Sequence, residues 1–378
     1  MNIAFIIMDL ELGGGAEHDI INLSTGMKKA GHSPAVITSG GRLCEYLETE
    51  GVTLVRLPVN QRSPLQLWRN AESFARTAER HEVEILNPQG VYPAVSCYWA
   101  SRRLLRRGKF VPNVVTIHML GRLTWWYYGM GAMLLNHYAD HVIFESECEL
   151  NRLKARGFSG PYTVIPNCFP PSKLAAVTES RAAIRRDIGV PDDAVLFIMP
   201  ARMTPEKRHD LLLETLARPE VRELPIRFFL AGDGPLLDQC KRRAGELGLA
   251  EKVIFGGFRK DVPRLYKAAD VFLLCSSNES LPLSIREGMG ASLPVIATHV
   301  GGIAEAVEDG RSGLMVPSGD SDALAGAIRK LATDAALRTS LGARGLEIYR
   351  TRFDYNNWIR RTVEVTSAVR EEFIRTHR

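Results

Sequence analysis

One stretch in the second half of the sequence constrains the fold more than any other. It opens with the apolar run Val271–Leu274, which is typical of a buried strand, and turns polar from Ser276 to Ser280. Pro282 stands where a helix begins, and a second apolar run, Leu293–Thr298, predicts another strand. The pair Gly301-Gly302 then leads into a second short helix. The stretch therefore predicts strand, polar turn and helix N-terminus, twice in succession.

This arrangement indicates the chemistry of a ligand. A helix N-terminus presents unpaired N–H groups and about half a unit of positive charge, which suits a phosphate. Glu279 precedes the first of these helices and Glu287 lies on it. Two carboxylates beside an anion site would repel a bare phosphate, so we expect them to face hydroxyl groups. A ligand with a diphosphate between two hydroxyl-bearing ends is a nucleotide-sugar.

The same stretch resembles the signature of the retaining GT-B glycosyltransferases of glycosyltransferase family 4. The resemblance rests on Glu279-x7-Glu287, on Gly-Met-Gly at 288–290, on the run Leu293–Thr298 and on Gly-Gly-x-x-Glu ending at Glu305. It implies that Glu279 holds hydroxyls of the donor sugar and that Glu287 holds the ribose hydroxyls.

The resemblance continues upstream of this stretch. The segment Ala201–Lys207 follows the predicted strand Val195–Met199 and resembles the family's Gly-Arg-Leu-x-x-x-Lys-Gly, with Ala201 and Arg208 where glycine is common. Arg202 and Lys207 are cations suited to a diphosphate, one as a fork and one as a point charge. The implied catalytic residues are His118, Arg202, Lys207 and Glu279. The implied donor-binding residues are Gly14, Gly15, Gly257, Phe258, Arg259, Ser280, Leu281, Leu283, Ser284 and Glu287.

The N-terminal half opens with a Rossmann-like unit. The strand Asn2–Met8 is followed by the glycine-rich turn Leu12–Glu17 and a helix, but the dinucleotide pattern G-x-G-x-x-G is absent. The second strand ends at Thr38-Ser39 without an acid for a ribose, which disfavours an NAD enzyme. A plain tight turn is the alternative interpretation of the glycines. His118 ends the strand Val114–Ile117, where the family places a histidine near the donor sugar.

Two features of this half keep more than one interpretation. The aromatic run Trp125–Tyr128 fits an acceptor wall, a membrane-interface patch or core. The basic segment Arg102–Lys109 fits either contact with anionic lipid or a solvated helix end, and we favour the helix end.

Composition narrows the class of protein. A chain of 378 residues predicts two domains, and no apolar run approaches the roughly 20 residues that span a bilayer. The six cysteines form no C-x-x-C pair, which indicates neither zinc nor a disulfide framework. No leader pattern precedes the first strand, and the net charge of +5 does not argue for nucleic acid. We expect a cytoplasmic protein, with a peripheral contact on the inner membrane face as an option.

Together these features predict an α/β protein with the GT-B fold, in which two Rossmann-like parallel-sheet domains face a central cleft. The resemblance implies that residues 1–169, with a C-terminal helix in 355–378 that returns to them, bind the acceptor, and that residues 170–354 bind the nucleotide-sugar. The resemblance implies a retaining glycosyltransferase that uses a UDP- or GDP-sugar and a glycan or lipid-linked acceptor in polysaccharide biosynthesis, without a cofactor or an obligatory metal. A nucleotide-sugar epimerase and a non-catalytic nucleotide-sugar-binding subunit are the alternatives.

Overall fold

The computed structural model describes residues 1–11, 14–61, 63–120 and 125–378, with the side chain of Trp125 left aside. Leu12 and Gly13 of the predicted glycine-rich turn, and the Trp125 side chain of the aromatic run, therefore lie outside the described residues. The chain divides into two compact units. Unit 1 is Met1–Cys168 with Tyr355–Arg378, and unit 2 is Phe169–Asp354.

Unit 1 is built on parallel strands. The strands are β1 (Asn2–Ile6), β2 (Ser33–Thr38), β3 (Thr53–Arg56), β4 (Ile85–Pro88), β5 (Val114–Ile117), β6 (His141–Phe144) and β7 (Tyr162–Val164). They pair in the orders β3-β2-β1-β4 and β5-β6-β7, and every pair is parallel. Isolated parallel bridges at Leu86–Asn113 and Gln89–Thr116 join β4 to β5. The seven strands thus follow one another as a single Rossmann-like layer.

Helices cover this layer. They are α1 (Gly15–Lys29), α2 (Cys44–Thr49), α3 (Pro64–Arg80), α4 (Val91–Arg106), α5 (Trp125–Tyr138) and α6 (Glu147–Lys154). Local sequence sets their starts: Ser63 and Ser146 cap α3 and α6 by accepting from the amides of Gln66 and Glu149, and Pro64 occupies the first turn of α3. Apolar residues of β1, β4, α3 and α4 belong to one buried cluster.

Unit 2 contains a six-stranded parallel sheet. Its strands are β8 (Val195–Pro200), β9 (Ile226–Ala231), β10 (Val253–Gly257), β11 (Val271–Leu274), β12 (Val295–Thr298) and β13 (Gly313–Val316). Their order is β10-β9-β8-β11-β12-β13. The helices are α7 (Ser172–Ala175), α8 (Arg181–Asp187), α9 (His209–Leu216), α10 (Pro219–Arg222), α11 (Leu237–Glu246), α12 (Val262–Ala268), α13 (Leu283–Gly290), α14 (Ile303–Ala306), α15 (Ser321–Thr333) and α16 (Ala335–Arg352).

The C-terminal helix α17 (Tyr355–His377) belongs to unit 1 although it follows unit 2 in sequence. The Tyr355 hydroxyl donates to the carbonyl of Asn22 on α1 at 2.7 Å. Trp358, Ile359 and Phe373 are buried. The helix thus completes the apolar core of the unit in which the chain begins. Among the described residues, no helix is both long and apolar enough to cross a bilayer.

Candidate active-site regions

In each unit the strand order reverses at one place, and that place positions the candidate residues. The reversal lies between β1 and β4 in unit 1 and between β8 and β11 in unit 2. The loops that leave the carboxyl ends of two such strands run in opposite directions and open a crevice, which is where ligands bind in open α/β sheets. Lys207 follows β8 and Glu279 follows β11, so the predicted cation and carboxylate come from the two loops at the unit 2 reversal.

Lys207 and Glu279 meet there. The Lys207 ammonium lies 2.5 Å from Glu279 Oε1, and the Ser276 hydroxyl donates to the same oxygen at 2.6 Å. The side chains are only 15% and 6% exposed, so this charged pair is largely removed from water. The structure thus brings together two residues that lie 72 positions apart in sequence.

The loop after β8 is shaped by backbone contacts. A short 3₁₀ turn, Pro205–Lys207, ends at Arg208, which has φ 53° and ψ 43° in the left-handed region. That region favours glycine and explains why glycine is common here in the resembled motif. The predicted Arg202 lies on the same loop with its guanidinium 3.8 Å from Glu206. Gly232 supports the loop, because a Cβ at this position would lie 1.9 Å from the carbonyl oxygen of Ala201.

The loop after β11 carries the next group of predicted residues. Ser280 and Leu281 are buried, and Leu283 and Ser284 form the first turn of α13 after Pro282. The Gly302 amide donates to the Ser280 carbonyl at 2.6 Å, and a Cβ on Gly302 would lie 2.4 Å from that oxygen. The Gly-Gly pair therefore lets this backbone pack tightly against the loop. The first-turn N–H groups of α13 are the natural partners for an anion.

The remaining predicted donor residues of unit 2 lie on α13 and at the end of β10 and the loop that follows it. Glu287 on α13 accepts from the Tyr266 hydroxyl at 2.6 Å, and burial and this carboxylate together raise the pKa of that hydroxyl. Gly257 ends β10 with φ 62° and is followed by the partly buried Phe258. Arg259 binds Asp261 as a fork, at 2.7 and 2.6 Å. Glu287 and Arg259 thus have side-chain partners distinct from the Lys207–Glu279 pair.

Unit 1 has a cavity of about 240 Å³ at its own strand reversal. The lining residues come from the loops after β1, β4 and β5 and from the start of α1: Ile7, Met8, Asp9, Ala16, Glu17, Gln89, Gly90, Ile117, His118, Met119 and Leu120. The predicted Gly14 and Gly15 stand at the start of α1 beside it. Neither has a positive φ, and among the described residues an added Cβ would meet only Glu17, at 3.8 Å from Gly14. Within the described part of the chain, no backbone conformation or close contact therefore requires glycine at either position.

His118 lines this cavity but is bound to side chains of unit 1. Its Nε2 lies 2.8 Å from Gln89 Oε1, and its Nδ1 lies 2.9 Å from Glu145 Oε2 and 3.4 Å from Asp19 Oδ2. Asn167 donates from Nδ2 to Asp19 Oδ2 and, at 2.8 Å, to Glu145 Oε2. Sequence reasoning identified His118 but missed these partners. The available signal was that Gln89 and Glu145 each directly follow a strand, β4 and β6.

The two carboxylates dominate the electrostatics of this group. Burial alone would lower the pKa of His118, but Glu145 and Asp19 raise it from 6.5 to about 10. The ligand atoms of Asp19, His118 and Glu145 lie within 4.8 Å of one another, a spacing that a metal ion could bridge. Asn167 Nδ2 also donates to the two carboxylate oxygens that face His118. These oxygens therefore act as hydrogen-bond acceptors in this structure.

The structure gives local contacts for both ambiguous features of unit 1. Among the aromatic residues, Tyr128 is buried and its hydroxyl donates to Glu149 at 2.9 Å, whereas Trp126 is 52% exposed. The basic segment pairs with acids: Arg102 with Asp140, Arg103 with Glu72, Arg107 with Glu72 and Glu79, and Lys109 with Glu79. These pairs favour the solvated helix end over lipid contact for that segment.

Comparison with known proteins gives a consistent result. One family profile, described as Glycosyltransferase Family 4, matches residues 13–173, and a second, Glycosyl transferases group 1, matches residues 180–347. A lipopolysaccharide core biosynthesis glycosyltransferase, LpsE, of Rhizobium meliloti is 26% identical over 88% of this chain and 90% of its own length. A D-inositol 3-phosphate glycosyltransferase of Saccharomonospora viridis is 29% identical over 85% of this chain and 80% of its own.

The fold is likewise shared with solved structures. The Anabaena protein Alr3699/HepE, crystallised with UDP and glucose, superposes with a TM-score of 0.84 at 23% identity, over 97% of this chain and 99% of that protein. At this identity the likeness concerns the fold. It confirms the predicted α/β fold of the GT-B type, with two Rossmann-like domains.

Proposed function

The chain belongs to the glycosyltransferases of family 4, and from that membership we propose that it transfers a sugar from a nucleotide-diphosphate donor with retention of configuration. The observation that carries the proposal is the Lys207–Glu279 pair at the strand reversal of unit 2. It supplies a cation for a diphosphate beside a carboxylate for sugar hydroxyls, which are the two demands of a nucleotide-sugar.

The main electrostatic requirement of the reaction is the negative charge that develops on the leaving nucleoside diphosphate. An ammonium group has three donors, so Lys207 can keep its contact with Glu279 and still direct N–H groups at phosphate oxygens. Arg202 and the first-turn amides around Leu283 and Ser284 add donors of the same kind. Glu279 is assigned to hydroxyls of the donor sugar and Glu287 to those of the ribose.

Retention is assigned to substitution on one face of the sugar. A double displacement would need a carboxylate nucleophile about 5 Å from an acid partner, as in retaining hydrolases, and the resemblance supplies none. In the proposed step the acceptor oxygen bonds to the anomeric carbon as the bond to the diphosphate breaks. The departing phosphate oxygen takes the acceptor proton, so no separate general base is required.

Protein donors, rather than a bound metal, are proposed to stabilise the leaving group. The resemblance brings no Asp-x-Asp-type ligand set to the donor residues of unit 2. We therefore predict that, with a chelator present, the initial rate of nucleotide release stays within about twofold of the rate without it, which corresponds to a change of about 0.4 kcal/mol in the activation barrier. A loss of activity that Mg²⁺ or Mn²⁺ restores would contradict this prediction.

The acceptor is proposed to be a glycan or lipid-linked molecule of the cell surface. This rests on the name of the Rhizobium meliloti relative, which places that protein in lipopolysaccharide core biosynthesis. A panel of UDP- and GDP-sugars, each monitored for nucleotide release with and without a membrane lipid extract, tests donor and acceptor together. Release that depends on one donor and on the extract supports the proposal.

The same panel separates the alternatives. An epimerase would convert its nucleotide-sugar with no acceptor present, and NMR of the recovered donor would reveal the new sugar. A non-catalytic subunit would bind the donor tightly and produce neither transfer nor slow hydrolysis. Either result would exclude the proposed transfer.

The mutation that tests the site is Lys207→Ala. We expect kcat to fall by about 10²- to 10³-fold, as when one donor of an anion-stabilising site is removed. Because the change also leaves the buried Glu279 carboxylate without its ammonium partner, thermal unfolding must be measured in parallel to detect a loss of stability. The Glu279→Gln variant, in which Lys207 faces a neutral side chain, shows the effect of breaking the ion pair from the other side. Lys241→Ala, on the exposed side of α11, is the control and should keep normal turnover. Near-normal turnover of Lys207→Ala would remove the role assigned to Lys207.

A further inference from the structure

The hydrogen bonds around His118 determine where its protons lie. Asn87 Nδ2 donates to the Val114 carbonyl at 2.5 Å, and Gln89 Nε2 donates to the Asn87 backbone carbonyl at 3.0 Å and to Asn87 Oδ1 at 2.6 Å. A backbone carbonyl can only accept, so both amide groups have a fixed orientation. Gln89 Oε1 must therefore face His118 as an acceptor. It follows that His118 Nε2 carries a proton.

The other ring nitrogen faces two carboxylates. Asn167 Nδ2 donates to both Asp19 Oδ2 and Glu145 Oε2, which is the arrangement expected when these oxygens are acceptors. Nδ1 has no partner of good hydrogen-bond geometry among the described residues, so its 2.9 Å approach to Glu145 Oε2 is an ion contact. An unprotonated Nδ1 would place its partial negative charge beside that oxygen. A proton on Nδ1 removes this repulsion and gives the buried carboxylates a positive partner.

From this geometry we infer that His118 is an imidazolium at neutral pH and a positioning residue, which fixes the wall of the unit 1 cavity instead of exchanging a proton with substrate. Its ring joins the end of β5 to Gln89 after β4, to Glu145 after β6 and to Asp19 on α1. The two bonds of Asn167 add the segment after β7. The ring of His118 thus connects β4, β5, β6 and α1 around the cavity, and Asn167 connects the segment after β7 to the same carboxylates.

Among the described residues, the charged side chains that contact this ring or line its cavity are acidic. Asp19 and Glu145 contact it, and Asp9 and Glu17 line the cavity that it borders. The other elements packed here contribute neutral side chains, among them Thr116 of β5 and Trp358 and Thr362 of α17. Among the described residues, the local field therefore keeps the ring protonated well above the range in which an isolated histidine titrates.

Side-chain ¹⁵N NMR of the histidines in the full-length protein, without substrates, tests the inference directly. We expect the His118 ring to carry both protons through neutral pH and to titrate near pH 10, whereas His141 and His209 titrate near 4 because burial lowers their pKa. These two residues are internal controls in the same spectrum. A His118 signal that titrates near 6.5, or a single neutral tautomer at pH 7, would overturn the inference.

Two variants assign the His118 signal in the NMR spectrum and test its ion pair with Glu145. His118→Gln identifies the signal by its loss. If that variant does not fold, Glu145→Gln serves, because removing one carboxylate should lower the pKa of His118 and move only that titration. An unchanged His118 titration in Glu145→Gln would overturn the ion-pair argument. Loss of the imidazolium signal on adding one equivalent of Zn²⁺ at pH 7 would show a metal site and overturn the inference as well.

The catalytic part of the inference rests on the proposed function and has a separate readout. The profile of kcat/KM in wild type should show no inflection from His118 between about pH 6 and 8, where free histidine titrates. Glu145→Gln should acquire one there. A wild-type inflection that coincides with a His118 titration seen by NMR would assign proton exchange to this residue. Because the NMR measurement needs no substrate, its result holds even if glycosyl transfer is not the activity.

Discussion

At the scale of single residues, the backbone at Arg208 and the ring of His118 show what sequence can and cannot reveal. The resembled motif has glycine where this chain has Arg208, and the left-handed φ of 53° supplies the reason. For His118 the position at the end of β5 was predictable, but not all of its partners were. Gln89 and Glu145 could have been found from their places directly after β4 and β6, but no spacing in the sequence connects Asp19 and Asn167 with them.

Arg208 gives a prediction about stability. A side chain in the left-handed region costs about 1–2 kcal/mol, which glycine avoids, although glycine also gives the unfolded chain more freedom. We therefore expect Arg208→Gly to be as stable as wild type or up to about 1 kcal/mol more stable. Arg208→Val, with a β-branched side chain in the same conformation, should be about 1–2 kcal/mol less stable than the glycine variant. Equal urea midpoints for the two variants would contradict the backbone argument.

At the scale of elements, apolar runs bounded by turn residues predicted the strands well. The bounds of Val114–Ile117 and Val271–Leu274 agree with the structure, as does the helix Pro64–Arg80, which has a serine cap and an N-terminal proline. In contrast, α5 was not predicted as a helix. Its sequence is nearly all apolar or aromatic, so polar residues do not mark a 3.6-residue period, and tertiary packing decides its conformation.

Contacts between loops give the prediction at this scale. Gly232 follows β9 and packs on the carbonyl of Ala201, which precedes Arg202. An alanine there must displace backbone, so Gly232→Ala should destabilise the protein by about 1–3 kcal/mol and also lower turnover by moving the Arg202 loop. Gly245, exposed on α11, is the matched control, because its added Cβ meets no described neighbour within 4 Å. Gly245→Ala should stabilise the protein by up to about 1 kcal/mol and leave turnover unchanged.

At the scale of the whole molecule, the two units differ in how the chain builds them. Unit 2 is one continuous segment, Phe169–Asp354, with a complete six-stranded sheet. Unit 1 needs both ends of the chain, because α17 supplies buried residues to a core made mostly by the first half. The sequence predicted such a returning helix only through the family resemblance, since an amphipathic terminal helix does not specify which apolar surface it covers.

This asymmetry makes the two units separable in different ways. We expect a fragment of residues 169–354 to unfold cooperatively by itself and to bind the diphosphate of its donor nucleotide, with binding weakened by Lys207→Ala.

A fragment of residues 1–168 should be less stable than the same fragment joined by a flexible linker to residues 355–378. The difference should be about 3–6 kcal/mol, because Ile359 and Phe373 are buried and each such side chain contributes roughly 1.5–3 kcal/mol. Urea unfolding of both forms measures this difference. Gly26→Ala in the linked form tests the contact between α1 and α17, because the added Cβ would overlap the Tyr355 hydroxyl on α17 and should lower the stability of that form. Equal stability with and without α17 would mean that the first segment closes its core alone and that the helix is an appendage rather than a structural part of unit 1.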